Sequence, residues 1–213
     1  MVTPYYDRDG ITIYHGDCRD VLPSLPAVDL VLTDPPYGVG LTSFVDDFAV
    51  SPEGINAAPG TLAAVFMSPR RVFEFVSLLP SWSFERLLWM HKTADMAAPW
   101  RGWCMNSEAI ILLSRKGAVW PKPTDYRSDV YSVGPWERAG HPNGKPESVV
   151  RDLMRRLSPP DALILDPFMG SGTAMRAAKD MGRRAIGIEI EESYCEIAVR
   201  RLQQSVLPLG IPA

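Results

Sequence analysis

DALILDPFMGSGTAMRAAKDMGRRAIGIEI, residues 161–190, reads as strand, helix and strand in one unbroken run. Its ALIL segment is apolar at every position, as in a strand buried on both faces of a parallel sheet. Gly170 and Gly172 then make a turn, a helix follows, and Gly182 is placed to cap its end. RRAIGIEI resumes as a strand. Two such strands joined by a helix imply a parallel sheet with helices on its faces.

The pattern continues outward. KPESVVRDLMRRL (145–157) has apolar residues at 149, 150, 153, 154 and 157, a helical stripe. EESYCEIAVRRLQQ (191–204) puts Tyr194, Ile197, Ala198 and Leu202 on one helix face. Toward the amino terminus, ITIYHGD (11–17), VDLVLTD (28–34), TLAAVFMS (61–68), FERLLWMHK (84–92) and SEAIILLSRKG (107–117) read as strands. CRDVLPSLP (18–26) has room for one short helical piece, and PRRVFEFVSLLP (69–80) for a helix with Pro69 at its first position. Residues 39–60 read as a loop, and the Pro- and Gly-rich stretch 118–146 as an excursion from the core. The expected class is α/β.

A chain of 213 residues with 46% hydrophobic and 22% charged content suits one soluble domain. There is no run of 18 apolar residues, and the start, MVTPYYDRDG, is polar, so a cytoplasmic, intracellular protein is expected. Cys18, Cys104 and Cys195 stand far apart, which argues against a disulfide framework and against zinc; no metal is expected. Net charge is −3, but it is unevenly spread. Residues 1–66 hold two basic and nine acidic side chains, while residues 115–156 hold nine basic and five acidic. That asymmetry fits a basic face on an acidic body.

Ligands of such sheets bind at the carboxyl ends of the strands. At the tip of 162–166 stands DPFMGSGT, whose glycines allow close approach of a ligand and whose helix offers N–H groups to an anion. Glu189, one strand–helix–strand later, is placed to accept from ribose hydroxyls. A triphosphate P-loop is disfavoured, since no G-K-[ST] follows. The tip of 28–34 is DPPYG (34–38). Asp34 and the carbonyl of Pro35 offer acceptors, Pro35 and Pro36 stiffen the corner and remove donors, and Tyr37 offers a stacking face. An exocyclic amine on a nucleobase needs this, because two acceptors on its N–H bonds localise a lone pair otherwise delocalised into the ring.

DPPYG, then HPNGKP (141–146), then DPFMGSGT with GIEI, resembles in residues and in order the beta group of amino-methylating DNA methyltransferases. These transfer methyl from S-adenosylmethionine to adenine N6 or cytosine N4. The resemblance implies a Rossmann-like, seven-stranded mixed sheet in circularly permuted order, with one antiparallel strand supplied by FERLLWMHK or SEAIILLSRKG. It implies that Asp34 and Pro35 accept from the target amine and Tyr37 stacks on the base. Asp34 would also border the cofactor, with Asp166, Phe168, Gly170, Ser171, Gly172 and Thr173 around its methionine half, Glu189 on its ribose, Asp17 at its adenine and Lys145 nearby. One domain over 1–213 is expected, with a small target-recognition excursion at 117–140. Lys122, Arg127 and Arg138 in that excursion are expected to contact duplex DNA. Its shortness implies a short site or a second subunit, a homodimer. A DNA-bound, nucleoid-associated enzyme follows.

The leading Asp of DPPYG favours adenine over cytosine, whose enzymes more often resemble SPPY. Methylation of a protein side-chain amide would resemble NPPY. An inactive DNA-binding protein has no need of Asp34, Tyr37, the Gly turn and Glu189 together, and a nicotinamide dehydrogenase leaves DPPYG unexplained.

Overall fold

The computed structural model of the protein describes residues 2–36, 52–93, 106–123, 125–134 and 145–204. In chain order these form β1 (Tyr6–Arg8), β2 (Ile11–His15), α1 (Cys18–Val21), β3 (Leu30–Thr33), α2 (Glu53–Ala57), β4 (Leu62–Met67), α3 (Val72–Ser77), β5 (Ser83–Lys92), β6 (Ser107–Ser114), β7 (Val130–Val133), α4 (Glu147–Leu157), β8 (Leu163–Asp166), α5 (Thr173–Asp180), β9 (Arg184–Glu189) and α6 (Glu192–Gln203). The described strands make one sheet in the order β1-β2-β9-β8-β3-β4-β6-β5-β7. Strands β2, β9, β8, β3 and β4 run parallel. β6 lies antiparallel between β4 and β5, so of the two candidates for the reversed strand it is SEAIILLS.

The sheet has nine strands, not seven, because each edge gains one. β1 pairs with β2 through a two-residue hairpin at Asp9 and Gly10, with φ of 53° and 76°. Positive φ at both positions is the turn whose twist matches two antiparallel strands, and Asp-Gly adopts it readily. At the other edge, β7 rises out of the expected excursion and pairs parallel with β5. Two smaller expectations also change. Residues 53–57, expected in a loop, form α2. Pro69 precedes its helix: the Arg71 N–H donates to the Ser68 carbonyl in a turn, and α3 starts at Val72.

The period of two along each strand divides the core. On β4, Leu62, Ala64 and Phe66 face α4, α5 and α6, while Ala63, Val65 and Met67 face α1, α2 and α3. All five residues of the α4 stripe are buried on the first side. On α6 the contact is made by Cys195, Ala198 and Leu202, with Tyr194 and Ile197 half-buried at its margin. Among the described residues no helix is long and apolar enough to cross a membrane. Lys179 on α5 donates to Asp9 in the β1–β2 turn (2.8 Å) and to the Leu202 carbonyl on α6 (3.0 Å), so one side chain ties that turn to the end of α6.

Gly172 sets how closely α5 and α6 approach. Its φ is 80°, and a Cβ there would sit 2.7 Å from Ala198 Cβ and 3.2 Å from Ala198 Cα. Gly172→Ala should therefore cost about 1–2 kcal/mol for the left-handed backbone and a further 1–3 kcal/mol for overpacking. Denaturant unfolding would reveal this as a lower midpoint with an unchanged slope.

The crossovers place the site. From β3 the chain moves through α2 to β4 on one side, and from β8 through α5 to β9 on the other. β3 and β8 are neighbours, so their connections diverge and leave a crevice at their carboxyl ends. Asp34 follows β3, and Asp166 ends β8.

Candidate active site

Thr33 and Asp166 tie the two strand tips together: the Thr33 hydroxyl donates to Asp166 Oδ1 at 2.7 Å. The Phe168 N–H donates to the same oxygen at 3.1 Å and starts the turn that leads to Gly170. Burial is the main influence on the Asp166 carboxyl. It outweighs these two donors and, with the nearby charges of Asp34 and Glu189, pushes the pKa up to about 7.

The sign of that shift has a measurable effect. An unfolded Asp titrates near pH 3.9, so the folded ligand-free protein resists ionising a group that the unfolded chain ionises freely. This contribution to stability falls as pH rises from about 4 to about 7 and is flat beyond. Asp166→Asn keeps an acceptor oxygen for Thr33 and Phe168 without the charge. Its ligand-free form should be more stable than the parent at pH above about 7, with the difference fading toward pH 4. Urea unfolding across that range checks it.

Glu189 ends β9 and holds the turn from the other side. Its Oε2 accepts from the Gly170 N–H (2.8 Å) and its Oε1 from the Glu191 N–H (2.9 Å). Burial raises its pKa, and these backbone donors counter only part of the rise. The Gly16 N–H donates to the Glu189 carbonyl (2.9 Å), which brings Asp17 to the same edge. There Asp17 caps α1 by accepting from the Arg19 N–H, and pairs with the Arg19 guanidinium. Arg201, on α6, donates to the Ser171 carbonyl (2.9 Å), the Ser171 hydroxyl (3.1 Å) and the Thr173 hydroxyl (3.3 Å). The turn 170–173 is thus pinned by Glu189 and Arg201. The second of these stands 28 to 30 residues from its partners, and nothing local in the sequence points to it.

Three features test whether this turn suits S-adenosylmethionine. A Cβ on Gly170 would meet no atom within 4 Å, so there is open space over the turn. The first turn of α5 carries no acidic residue, which leaves its positive end available to a carboxylate. The carboxyls of Asp34, Asp166 and Glu189 gather beside it, complementary to a sulfonium and an ammonium group. The residues fit the group.

Lys145, expected near the cofactor, has its ammonium 2.8 Å from Asp34 Oδ2 and 2.9 Å from Glu108 Oε2. Phe168 is half-buried, its ring close over Gly54 of α2. Tyr37 and Arg138 fall outside the described residues. Lys122 and Arg127 are exposed. Arg127 pairs with Asp125, which also pairs with Arg155 and Arg156 in the last turn of α4. Lys145 stands just before the other end of α4, and 11 residues of helix span roughly 16 Å. Among the described residues no group of three or more His, Cys, Asp or Glu side chains is arranged to hold a metal ion.

Residues 83–200 match the model of the N6_N4_Mtase family of DNA methylases. The putative methylase YubD of Escherichia coli K12 is 32% identical, over 88% of this chain and 88% of that protein. The DNA adenine methyltransferase YhdJ of the same organism is 25% identical, over 92% of this chain and 84% of that one. Among solved structures, the M1.HpyAVI–SAM complex superposes with a TM-score of 0.73 at 26% identity, over 90% of this chain and all of that one. With the paired strand tips, the reversed β6 and the Gly turn already in place, these matches lead to one conclusion: the chain belongs to the amino-methylating DNA methylases, which act on N6 or N4 amino groups.

Proposed function

We propose that the protein methylates adenine N6 in duplex DNA, with the base extruded into the crevice between β3 and β8. The methyl donor is S-adenosylmethionine, which when bound supplies a methyl group on a sulfonium, from which sulfur leaves as a neutral thioether. The observation that carries the reading is Asp34, held by Lys145 at the strand tip beside the pinned turn 170–173. Asp34 and the Pro35 carbonyl accept from the two N–H bonds of the amine. This draws the nitrogen toward a tetrahedral geometry with its lone pair directed at the methyl group. Asp34 also offers a route for the proton the nitrogen sheds afterwards. Pro36 keeps the corner stiff, and Tyr37 gives the extruded base a stacking face. Extrusion costs a few kcal/mol, of which stacking on an aromatic side chain returns about 1–3 kcal/mol.

Asp166, Phe168, Gly170, Ser171, Gly172 and Thr173 hold the methionine half of the donor, Glu189 its ribose and Asp17 its adenine end. The chain acts as one domain, with 117–140 as the target-recognition segment. Lys122, Arg127 and Arg138 meet the phosphate backbone, which positions the duplex without reading sequence. A homodimer supplies a second recognition segment. Preference for adenine over cytosine rests on the leading Asp of DPPYG and on the likeness to an adenine methyltransferase.

Incubation with labelled S-adenosylmethionine and DNA, followed by digestion to nucleosides, tests the reading. Label in N6-methyl-2′-deoxyadenosine is the expected result. Label in N4-methyl-2′-deoxycytidine would overturn the base assignment while keeping the chemistry, and no transfer to any DNA would overturn both.

A further inference from the structure

Four charged side chains form a file leading away from Asp34. Lys145 bridges Asp34 and Glu108 at 2.8 and 2.9 Å, and Glu108 accepts through its other oxygen from Lys92. Lys92 is the last residue of β5, and Glu108 is the second residue of β6. Because β6 runs against its neighbours, its start lies at the same edge of the sheet as the ends of β4 and β5. The buried ring of Phe66 lies 5.5 Å from the Lys145 ammonium. Glu108 itself is mostly removed from solvent. Burial works to raise its pKa, but Lys145 and Lys92 together outweigh that and hold it below the ordinary range.

We propose that Glu108 is a positioning residue for methyl transfer, acting through Lys145 to keep Asp34 both fixed and net anionic toward the target amine. This rests on the reading of Asp34 given above. The nitrogen gains positive charge as the new C–N bond forms, and a bare lysine 2.8 Å behind the Asp34 carboxylate would oppose it. Glu108 and Lys92 change that balance. With them the file holds two anions and two cations, and the Asp34 carboxylate dominates the local field. Remove the Glu108 charge and the file carries a net positive charge beside a nitrogen that is becoming positive. Lys145 contributes geometry, because a charge-assisted hydrogen bond to one Asp34 oxygen fixes where the carboxylate points. The assignment gives Lys145 a function on the base side of the crevice.

The test uses the full chain with Glu108→Gln and Lys145→Met. It follows methyl transfer to DNA, cofactor affinity by calorimetry, and titration of the Asp34 carboxyl by carbon NMR in the ligand-free protein. Both substitutions should lower kcat about 10- to 100-fold, the size of one charge-assisted contact, and leave cofactor affinity essentially unchanged. The Asp34 titration should move in opposite senses. It falls in Glu108→Gln, where the surroundings become more positive, and rises in Lys145→Met, where a cation is lost. Among the described residues, the groups that bear on it include Lys145, Glu108, Lys92 and Asp166. Shifts in the same sense, no shift, or a loss of cofactor affinity matching the loss in kcat would overturn the proposal. If the parent protein transfers no methyl to DNA, the functional reading fails, and the opposed titrations still decide the file. If Glu108→Gln does not fold, an unmoved Asp34 titration in Lys145→Met is enough to overturn it.

Discussion

Asp34→Ala is expected to abolish methyl transfer, with a loss of about 1,000-fold or more in kcat, while S-adenosylmethionine still binds. Removing a single group that stabilises transition-state charge costs about 100- to 1,000-fold. Asp34 combines two such functions, acceptor for the amine and nearest counter-charge to the forming cation. The fold should tolerate the change. Lys145 keeps its contact with Glu108 at 2.9 Å, so no buried cation is left without a partner. The turn 170–173 is held by Glu189 and Arg201 and does not depend on Asp34. Calorimetry should therefore show cofactor binding reduced far less than turnover, because one of the three carboxyls beside the turn is lost and the turn itself is kept. Near-normal turnover on DNA would remove Asp34 from the mechanism.

Glu189→Ala should weaken S-adenosylmethionine binding by one to two orders of magnitude, roughly 1.4–2.8 kcal/mol. Two effects act together. Ribose hydroxyls lose their acceptor, and the Gly170 N–H loses the carboxylate that holds the turn at 2.8 Å. Each carboxylate oxygen has two lone pairs, so one can accept a backbone N–H and still meet a ribose hydroxyl. Glu189→Gln separates size from acceptor capacity. Its amide points an NH2 group at either Gly170 N–H or Glu191 N–H, donor against donor, and the loss should approach that of alanine. Unchanged affinity in both variants would mean that the ribose is held elsewhere.

The elements legible in the sequence were those that a single face or a single turn determines. ALIL and AIGI are apolar throughout because helices cover both sides of β8 and β9. The α4 stripe was complete because it is buried in one continuous core with the sheet and the neighbouring helices. The edge strands were harder to read. β7 has only Val133 buried among its four residues, so no alternation marks it. β1 is three residues long, two of them exposed, and its signal lay in the Asp9–Gly10 turn and not in the strand. The strand-tip residues were visible because loops that carry chemistry have unusual composition. Their supports were not. Glu108 reaches Lys145 only because β6 reverses direction, and Arg201 reaches Ser171 only because α6 folds back over α5. Such contacts depend on the whole topology. The sequence motif around Lys145 marks it as important without saying which partner it meets. Local charge drew attention to Lys122 and Arg127, but charge along the chain does not tell that Arg127 will join Asp125 beside the last turn of α4.

Because Lys179 ties the β1–β2 turn to the end of α6, the order in which the chain supplies its two halves is separable from how they pack. Residues 145–204 meet the rest along a seam made of β2 with β9 and β3 with β8, where Gly16 meets Glu189 and Thr33 meets Asp166. A polypeptide joined from the end of α6 to the start of β1, and opened between β7 and α4, would present the donor-holding half first and the amine-holding half second. It would still close on the same seam. What the architecture requires is that two strand tips diverge from adjacent positions; which of them a ribosome makes first is free to vary.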